Sequence, residues 1–164
     1  MNAFDKLVSA NDFAERAATL RTLGKKIVFT NGCFDLLHAG HVRYLAAARA
    51  AGDILVVGLN SDASVRKIKD QGRPINHQGH RAEVLAGLAS VDYIIRFDDP
   101  DPLRLIRAIK PDILVKGADW AEADIIGAEE VKSFGGRVIR IPLTPDVSTT
   151  GIIEKIVKTY GSVK

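Results

Sequence analysis

Five short apolar runs, each set off by a stretch of helical periodicity, constrain this sequence most. The runs are "KIVFT" (26–30), "DILVVGLN" (53–60), "DYIIRF" (92–97), "DILVKG" (112–117) and "RVIRIP" (137–142). They are rich in β-branched residues and nearly continuous rather than alternating, as strands buried on both faces are. Between them lie segments with helical spacing: "GHVRYLAAARAAG" (40–52), "SDASVRKI" (61–68), "HRAEVLAGLASV" (80–91), "PLRLIRAI" (102–109), "DIIGAEEVKSFGG" (124–136) and "STTGIIEKIVKTY" (148–160). Ser61 and Ser148 are good N-cap residues, Pro102 suits a first helical turn, and glycines follow several of the helices. Strand and helix in strict alternation predict a doubly wound α/β fold of five parallel strands with helices on both faces. Ligands then belong at the carboxyl ends of the strands, near the point where strand order reverses. Residues 1–24 read as an amphipathic helical extension ending at Gly24, and residues 25–164 as a single domain.

Composition removes several classes of function. An apolar content of 46% against 26% charged residues is that of an ordinary globular chain. No apolar run approaches the roughly 20 residues of a membrane helix, and the N-terminus lacks the basic-then-apolar order of a secretion signal. No membrane partner is expected. One cysteine, Cys33, cannot form an internal disulfide and fits a reducing, cytoplasmic setting. The net charge of +3 suits a small anionic substrate as well as weak nucleic-acid contact. Without a basic run or a ladder of stacking aromatics, no nucleic-acid partner is expected.

The first strand runs into "TNGCFDLLHAGH" (30–41). Its glycines, Gly32 and Gly40, do not fit the G-x-G-x-x-G dinucleotide fingerprint, and there is no G-K-[ST] of a P-loop. Gly32 lets backbone N–H groups approach a ligand. His41 falls in the first turn of a helix, where free N–H groups and the positive end of the dipole favour an anion. His38 lies three residues earlier, and Gly40 permits close approach between the two. Two imidazoles there are good donors to phosphate oxygens. They are poorer metal ligands, since no cysteine or acidic residue is suitably spaced. The plainer reading, one capping histidine and one surface histidine, is less favoured for H-x-G-H at a strand-to-helix junction. Ser148, Thr149 and Thr150 open the last helix and can form a second anion site, although Ser148 alone would satisfy the cap. Cys33 has no paired base and reads as a small filler.

"GCFDLLHAGH" resembles the signature of the cytidylyltransferase-like nucleotidyltransferases. So do "VGLNSDASVRKIK", "RPINHQGHRAEVLAGLASVDYII", "PDILVKGADW" and "DVSTTGIIEKI", which together span roughly residues 25–158. The combination is most similar to the adenylyltransferase branch that serves bacterial ADP-heptose synthesis, in its stand-alone form without a sugar kinase. The resemblance implies a Rossmann-like fold of H-x-G-H type. It implies that a sugar 1-phosphate attacks the α-phosphorus of ATP and that pyrophosphate leaves. It implies catalytic roles for His38, His41 and Lys69, the last opening a polar loop (69–79) that reads as mobile, with Lys67 as its competitor. Nucleotide binding is implied for Thr30, Asn31, Gly32, Cys33, Phe34, Gly40, Lys116, Gly117, Ser148, Thr149 and Thr150. Substrate binding is implied for Asp119, a partner for ribose or heptose hydroxyls, and for Arg81, directed to either phosphate. Asp35 is placed with them; it either orients a histidine or the acceptor, or caps the turn. Mg²⁺ accompanies ATP and is held mainly by its phosphates, with no protein metal site. A homo-oligomer is expected, as is usual in the family. The alternatives are a cytidylyltransferase acting on glycerol 3-phosphate or another phospho-alcohol, and a non-catalytic nucleotide-binding module. "KGADW" and "DVSTT", in place of a glycerol-type "R-x-E-G-I-S-T-T", disfavour the first.

Overall fold

Backbone hydrogen bonds join the apolar runs into one parallel sheet. The computed structural model describes residues 3–161. Its strands are β1 (Leu7–Val8), β2 (Ile27–Gly32), β3 (Ile54–Asn60), β4 (Tyr93–Phe97), β5 (Ile113–Gly117) and β6 (Arg137–Ile141). They lie in the order β1-β4-β3-β2-β5-β6, and every neighbouring pair is parallel. From the central β2 the chain builds outward through β3 to β4, then returns to place β5 on the other side of β2. Strand order therefore reverses between β2 and β5, which makes their carboxyl ends the expected ligand crevice.

The helices are α1 (Ala10–Thr22), α2 (Ala39–Ala50), α3 (Asp62–Ile68), α4 (Gln78–Ala86), α5 (Leu103–Ile109), α6 (Ala128–Ser133) and α7 (Thr149–Tyr160). Adjacent strand residues point to opposite faces. Ile27, Phe29 and Leu114 pack with Phe13, Ile106 and Val131 beneath α1, α5 and α6. Val28, Leu55, Val57 and Val115 pack with Leu45, Ala48 and Leu85 beneath α2 and α4. Each of these Val, Leu, Ile and Phe side chains, when fully buried, contributes about 1.5–3 kcal/mol. Two covered faces explain why β2, β3 and β5 read as unbroken apolar runs, whereas β6, at the sheet edge, buries none of its residues.

Three expectations change. The sheet has six strands, not five. The sixth, β1, lies inside the segment read as wholly helical, and pairs Leu7 and Val8 with Ile94 and Ile95. Two residues are too few to show a period. The helix after it, α1, is capped by Ser9, whose side chain accepts from the amide of Asp12, and it buries Phe13 and Ala17. Residues of the extension are thus built into the core. The stretch 124–136 is not one helix: a 3-10 turn (Glu122–Asp124) precedes α6. Gly127 separates them at φ 89°, where a Cβ would meet Ile106 Cδ1 at 2.4 Å. The helix expected at 80–91 begins at Gln78 and ends at Ala86, before Gly87. The last helix agrees with its expected bounds, with Ser148 as its N-cap accepting from Gly151 N. No residue of α7 is buried, and its first turn is fastened by Thr149 Oγ1 donating to Leu36 O.

Candidate active site

At the end of β2 the chain turns through Cys33, Phe34 and Asp35. Phe34 sits at φ 46°, a left-handed conformation that is costly for a bulky residue. Its ring is buried in the core, and a Cβ on Gly32 would lie 3.0 Å from Phe34 Cε2. The glycine therefore makes room for the ring. The turn delivers His38 to the N-cap of α2, in extended conformation, and His41 to its first turn.

The two imidazoles stack, with ring centroids 3.9 Å apart and planes inclined by 25°. Phe34 meets His41 edge-on at 5.3 Å. A Cβ at Gly40 would stand 3.0 Å from both Cε1 and Nδ1 of His38. A side chain at residue 40 would therefore press on the His38 ring and push it aside, so Gly40 favours the stacked arrangement. Burial lowers the pKa of His41 to about 4, with help from His38; the Leu36 carbonyl works weakly the other way. Burial also lowers that of His38. Nδ1 of each ring is buried without a hydrogen-bond partner. At pH 7 both rings are neutral, and each brings one N–H donor and one acceptor. An anion beside them favours the charged form, and charging one ring opposes charging the other.

The low pKa has a consequence for stability. The unfolded chain takes a proton on His41 near pH 6.5, whereas the folded chain takes it near pH 4. The unfolded state binds more protons between those values, so stability falls as pH drops through that window. Urea unfolding should show the native protein losing more of its midpoint between pH 7 and pH 5 than His41→Gln does. Equal losses would refute the assignment.

The facing wall is the end of β5. Lys116 donates to Asn31 Oδ1, and burial lowers its pKa to about 8 against the raising influence of Asp119. A Cβ on Gly117 would lie 2.3 Å from Asp119 Oδ1 and 3.0 Å from Leu143 Cδ2. The glycine lets that carboxylate fold back over the strand end. Tyr44 of α2 ties the walls together. Its hydroxyl pairs with Thr30 Oγ1 at 2.8 Å and donates to Val115 O at 3.1 Å, and burial pushes its pKa up to about 12.

Between the walls is a cavity of about 830 Å³, at the upper end of the range for small-molecule sites. Of the residues singled out in the sequence, Asn31, Gly32, Cys33, Phe34, His38, Gly40, His41, Lys69, Lys116, Gly117, Asp119, Ser148 and Thr149 line it. Lys69, the C-cap of α3, is on the wall; Lys67 is not among the lining residues. Burial raises the Cys33 thiol pKa, although Lys69, Arg81 and Arg73 oppose this, which suits a filler rather than a nucleophile.

Thr30, Asp35, Arg81 and Thr150 lie elsewhere. Thr30 is fully buried behind the wall. Thr150 is exposed, on the outer side of the first turn of α7. Asp35 and Arg81 point inward. The Asp35 carboxylate accepts from Arg73 Nε, Ile75 N and Asn76 N. Arg81 is 1% exposed and donates to Asn76 O, Cys33 O, Asn60 O and Asp62 Oδ1. Neither leaves its charge free for a ligand in the cavity. The loop that read as mobile is bound at residues 73, 75 and 76 by these contacts. Tyr44, Trp120, Leu143, Thr144, Asp146, Val147 and Gly151 also line the cavity. Tyr44 follows His41 by three residues, so helical spacing placed it on the same face; residues 143–147 are irregular and carry no period.

Residues 29–155 match the model of the cytidylyltransferase-like family. The chain belongs to that family. The span matched by the cytidylyltransferase-like model runs from β2 into α7 and encloses every residue lining the cavity. Among curated relatives, bifunctional protein HldE of Geobacter metallireducens is 54% identical over 138 residues, 84% of this chain and 28% of that protein. HldE of Trichlorobacter lovleyi is 49% identical over 155 residues, 94% of this chain and 32% of that one. The chain thus spans about a third or less of the length of these relatives. A solved lipopolysaccharide core biosynthesis protein from Thermoplasma volcanium is 29% identical, with TM-score 0.62, covering 74% of this chain and 98% of that one. Pantoate-beta-alanine ligase from Francisella tularensis, solved with beta-gamma ATP and beta-alanine, shares the fold with TM-score 0.63 at 19% identity, covering 93% and 77%. Family and relatives point to a nucleotidyltransferase. Among the described residues, no helix is long and apolar enough to cross a membrane.

Proposed function

We propose that this chain transfers AMP from ATP to D-glycero-β-D-manno-heptose 1-phosphate, giving ADP-heptose for the lipopolysaccharide inner core and pyrophosphate. The observation that carries the reaction class is the stacked pair His38 and His41 at the N-terminus of α2, in one cavity with Lys69 and Lys116. An oxygen of the sugar phosphate attacks the α-phosphorus of ATP. The bond from that phosphorus to the bridging oxygen breaks, and pyrophosphate leaves with the electron pair. The attacking oxygen is already ionised, so no general base is needed. Positioning and charge stabilisation are.

The histidine N–H groups and the free amides of the first turn of α2 receive phosphate oxygens where charge gathers. Lys69 and Lys116 add positive charge from either side. Ser148 and Thr149 offer a second anion site at the start of α7. Asp119 accepts from sugar hydroxyls. The substrate is MgATP, its metal held by phosphate oxygens and water. Asp119 and Asp146 are the carboxylates on the cavity wall.

The base and the sugar rest on "KGADW" and "DVSTT", on identity near one half to the HldE chains, and on likeness to a lipopolysaccharide core biosynthesis protein. Pyrophosphate release with heptose 1-phosphate and magnesium should be faster with ATP than with CTP by about 10²-fold or more. Glycerol 3-phosphate should not replace the sugar. Equal rates with CTP would overturn the base assignment. ATP binding without pyrophosphate release from any acceptor would favour the non-catalytic module.

A further inference from the structure

Asp35 is the acidic residue inside the histidine motif, yet its carboxylate does not face the cavity. Its side chain has no exposure, and one short segment takes up its oxygens. Oδ2 accepts from Arg73 Nε at 2.5 Å and from Ile75 N at 2.8 Å. Oδ1 accepts from Asn76 N at 2.8 Å, and the Asp35 carbonyl accepts from Asn76 Nδ2 at 2.8 Å. Burial disfavours the charged carboxylate, but these donors outweigh it and keep its pKa below the usual range. The segment belongs to the connection between α3 and α4, whose first residue is Lys69. Arg81 closes the far end, bridging Asn76 O and Cys33 O. The turn that aims the histidines and the loop that starts with Lys69 are thus fastened to each other on the side away from the ligand.

We propose that Asp35 is a positioning residue: it latches the 70–76 loop to the histidine turn, so that Lys69 meets the phosphates in fixed register with His38 and His41. This rests on the nucleotidyl-transfer reading of the cavity. The latch requires a carboxylate. Asparagine at this position would set an NH₂ group against one of three donors, all of which need an acceptor. A loop displaced by about 1 Å is enough to cost about 10²-fold in turnover.

The test compares Asp35→Asn, Lys69→Ala and the double variant of the full chain. Without substrate, hydrogen exchange at the amides of Ile75 and Asn76 should quicken by about 10-fold or more in Asp35→Asn. With MgATP and heptose 1-phosphate, each single variant should lose kcat/KM. The double variant should lose little beyond the worse single, because Asp35 acts through Lys69. Unchanged amide protection, or losses that multiply, would overturn the proposal. Arg73→Ala removes one donor and leaves two; it should show the same exchange effect at smaller size if Asp35→Asn fails to fold, and unchanged protection there would also overturn it. The exchange measurement needs no turnover, so a wrong substrate assignment and a wrong latch fail separately.

Discussion

Replacing His41 with alanine is expected to cut pyrophosphate release by about 10² to 10³-fold while the protein stays folded. That is the usual loss when one preorganised donor to a developing negative charge is removed. The geometry supports a large value. His41 lies in the first turn of α2, stacked on His38 at 3.9 Å and flanked by Phe34 at 5.3 Å. These ring contacts hold the imidazole in place, which keeps reorganisation small when charge builds on the phosphates. Folding should tolerate the change, since His41 is only half-buried and its Nδ1 has no hydrogen-bond partner to leave behind. His38→Ala should also be severe, and the double variant far less than multiplicative, because the two rings hold one another in place. Single-turnover rates, with thermal melting on the same samples, check both points. A His41→Ala protein within about threefold of native turnover would remove these histidines from the chemistry.

How much of this was legible follows from what kind of signal each residue leaves. Strands buried on both faces announce themselves as apolar runs, which made β2, β3, β4 and β5 readable; β6, which buries none of its residues, was readable from its β-branched residues. The two residues of β1 were not. Ser148 as a cap and the site at the ends of β2 and β5 also followed from local pattern, because a strand end, a glycine and a helix start are adjacent in sequence. Direction was not readable. Asp35 and Arg81 are polar residues in or near the motifs, and nothing local distinguishes a charge aimed at a ligand from one aimed at backbone. Asp35 meets residues about forty positions later, and Arg81 reaches back 48 positions to Cys33. Gly127 failed for a related reason. Within a helical pattern one glycine is a mild defect, and only the folded backbone shows Gly127 at φ 89°, outside the helical region.

Arg81→Met should lower stability by about 3–5 kcal/mol, the cost of breaking a buried ion pair by removing one partner. Arg81 is the largest fully buried side chain among the described residues. Its guanidinium satisfies three carbonyls, of Cys33, Asn60 and Asn76, besides Asp62 Oδ1 at 2.8 Å. Methionine matches its length but donates nothing, so those acceptors lose their partner. Asp62 is partly compensated: it opens α3, where the helix dipole favours a carboxylate, and His77 Nε2 lies 3.4 Å from its other oxygen. That places the loss toward the lower end of the range. For a chain of this size, melting should fall by about 2–4 °C per kcal/mol, so by roughly 6–20 °C. Arg81→Lys keeps the charge but cannot span four acceptors with one ammonium, and should fall between. Adding Asp62→Asn to Arg81→Met should recover part of the loss, since it removes the stranded charge. An arginine that served instead to bind substrate phosphate would give the opposite pattern, with melting unchanged and KM raised. Melting curves of the three variants, beside KM for both substrates, decide between the two.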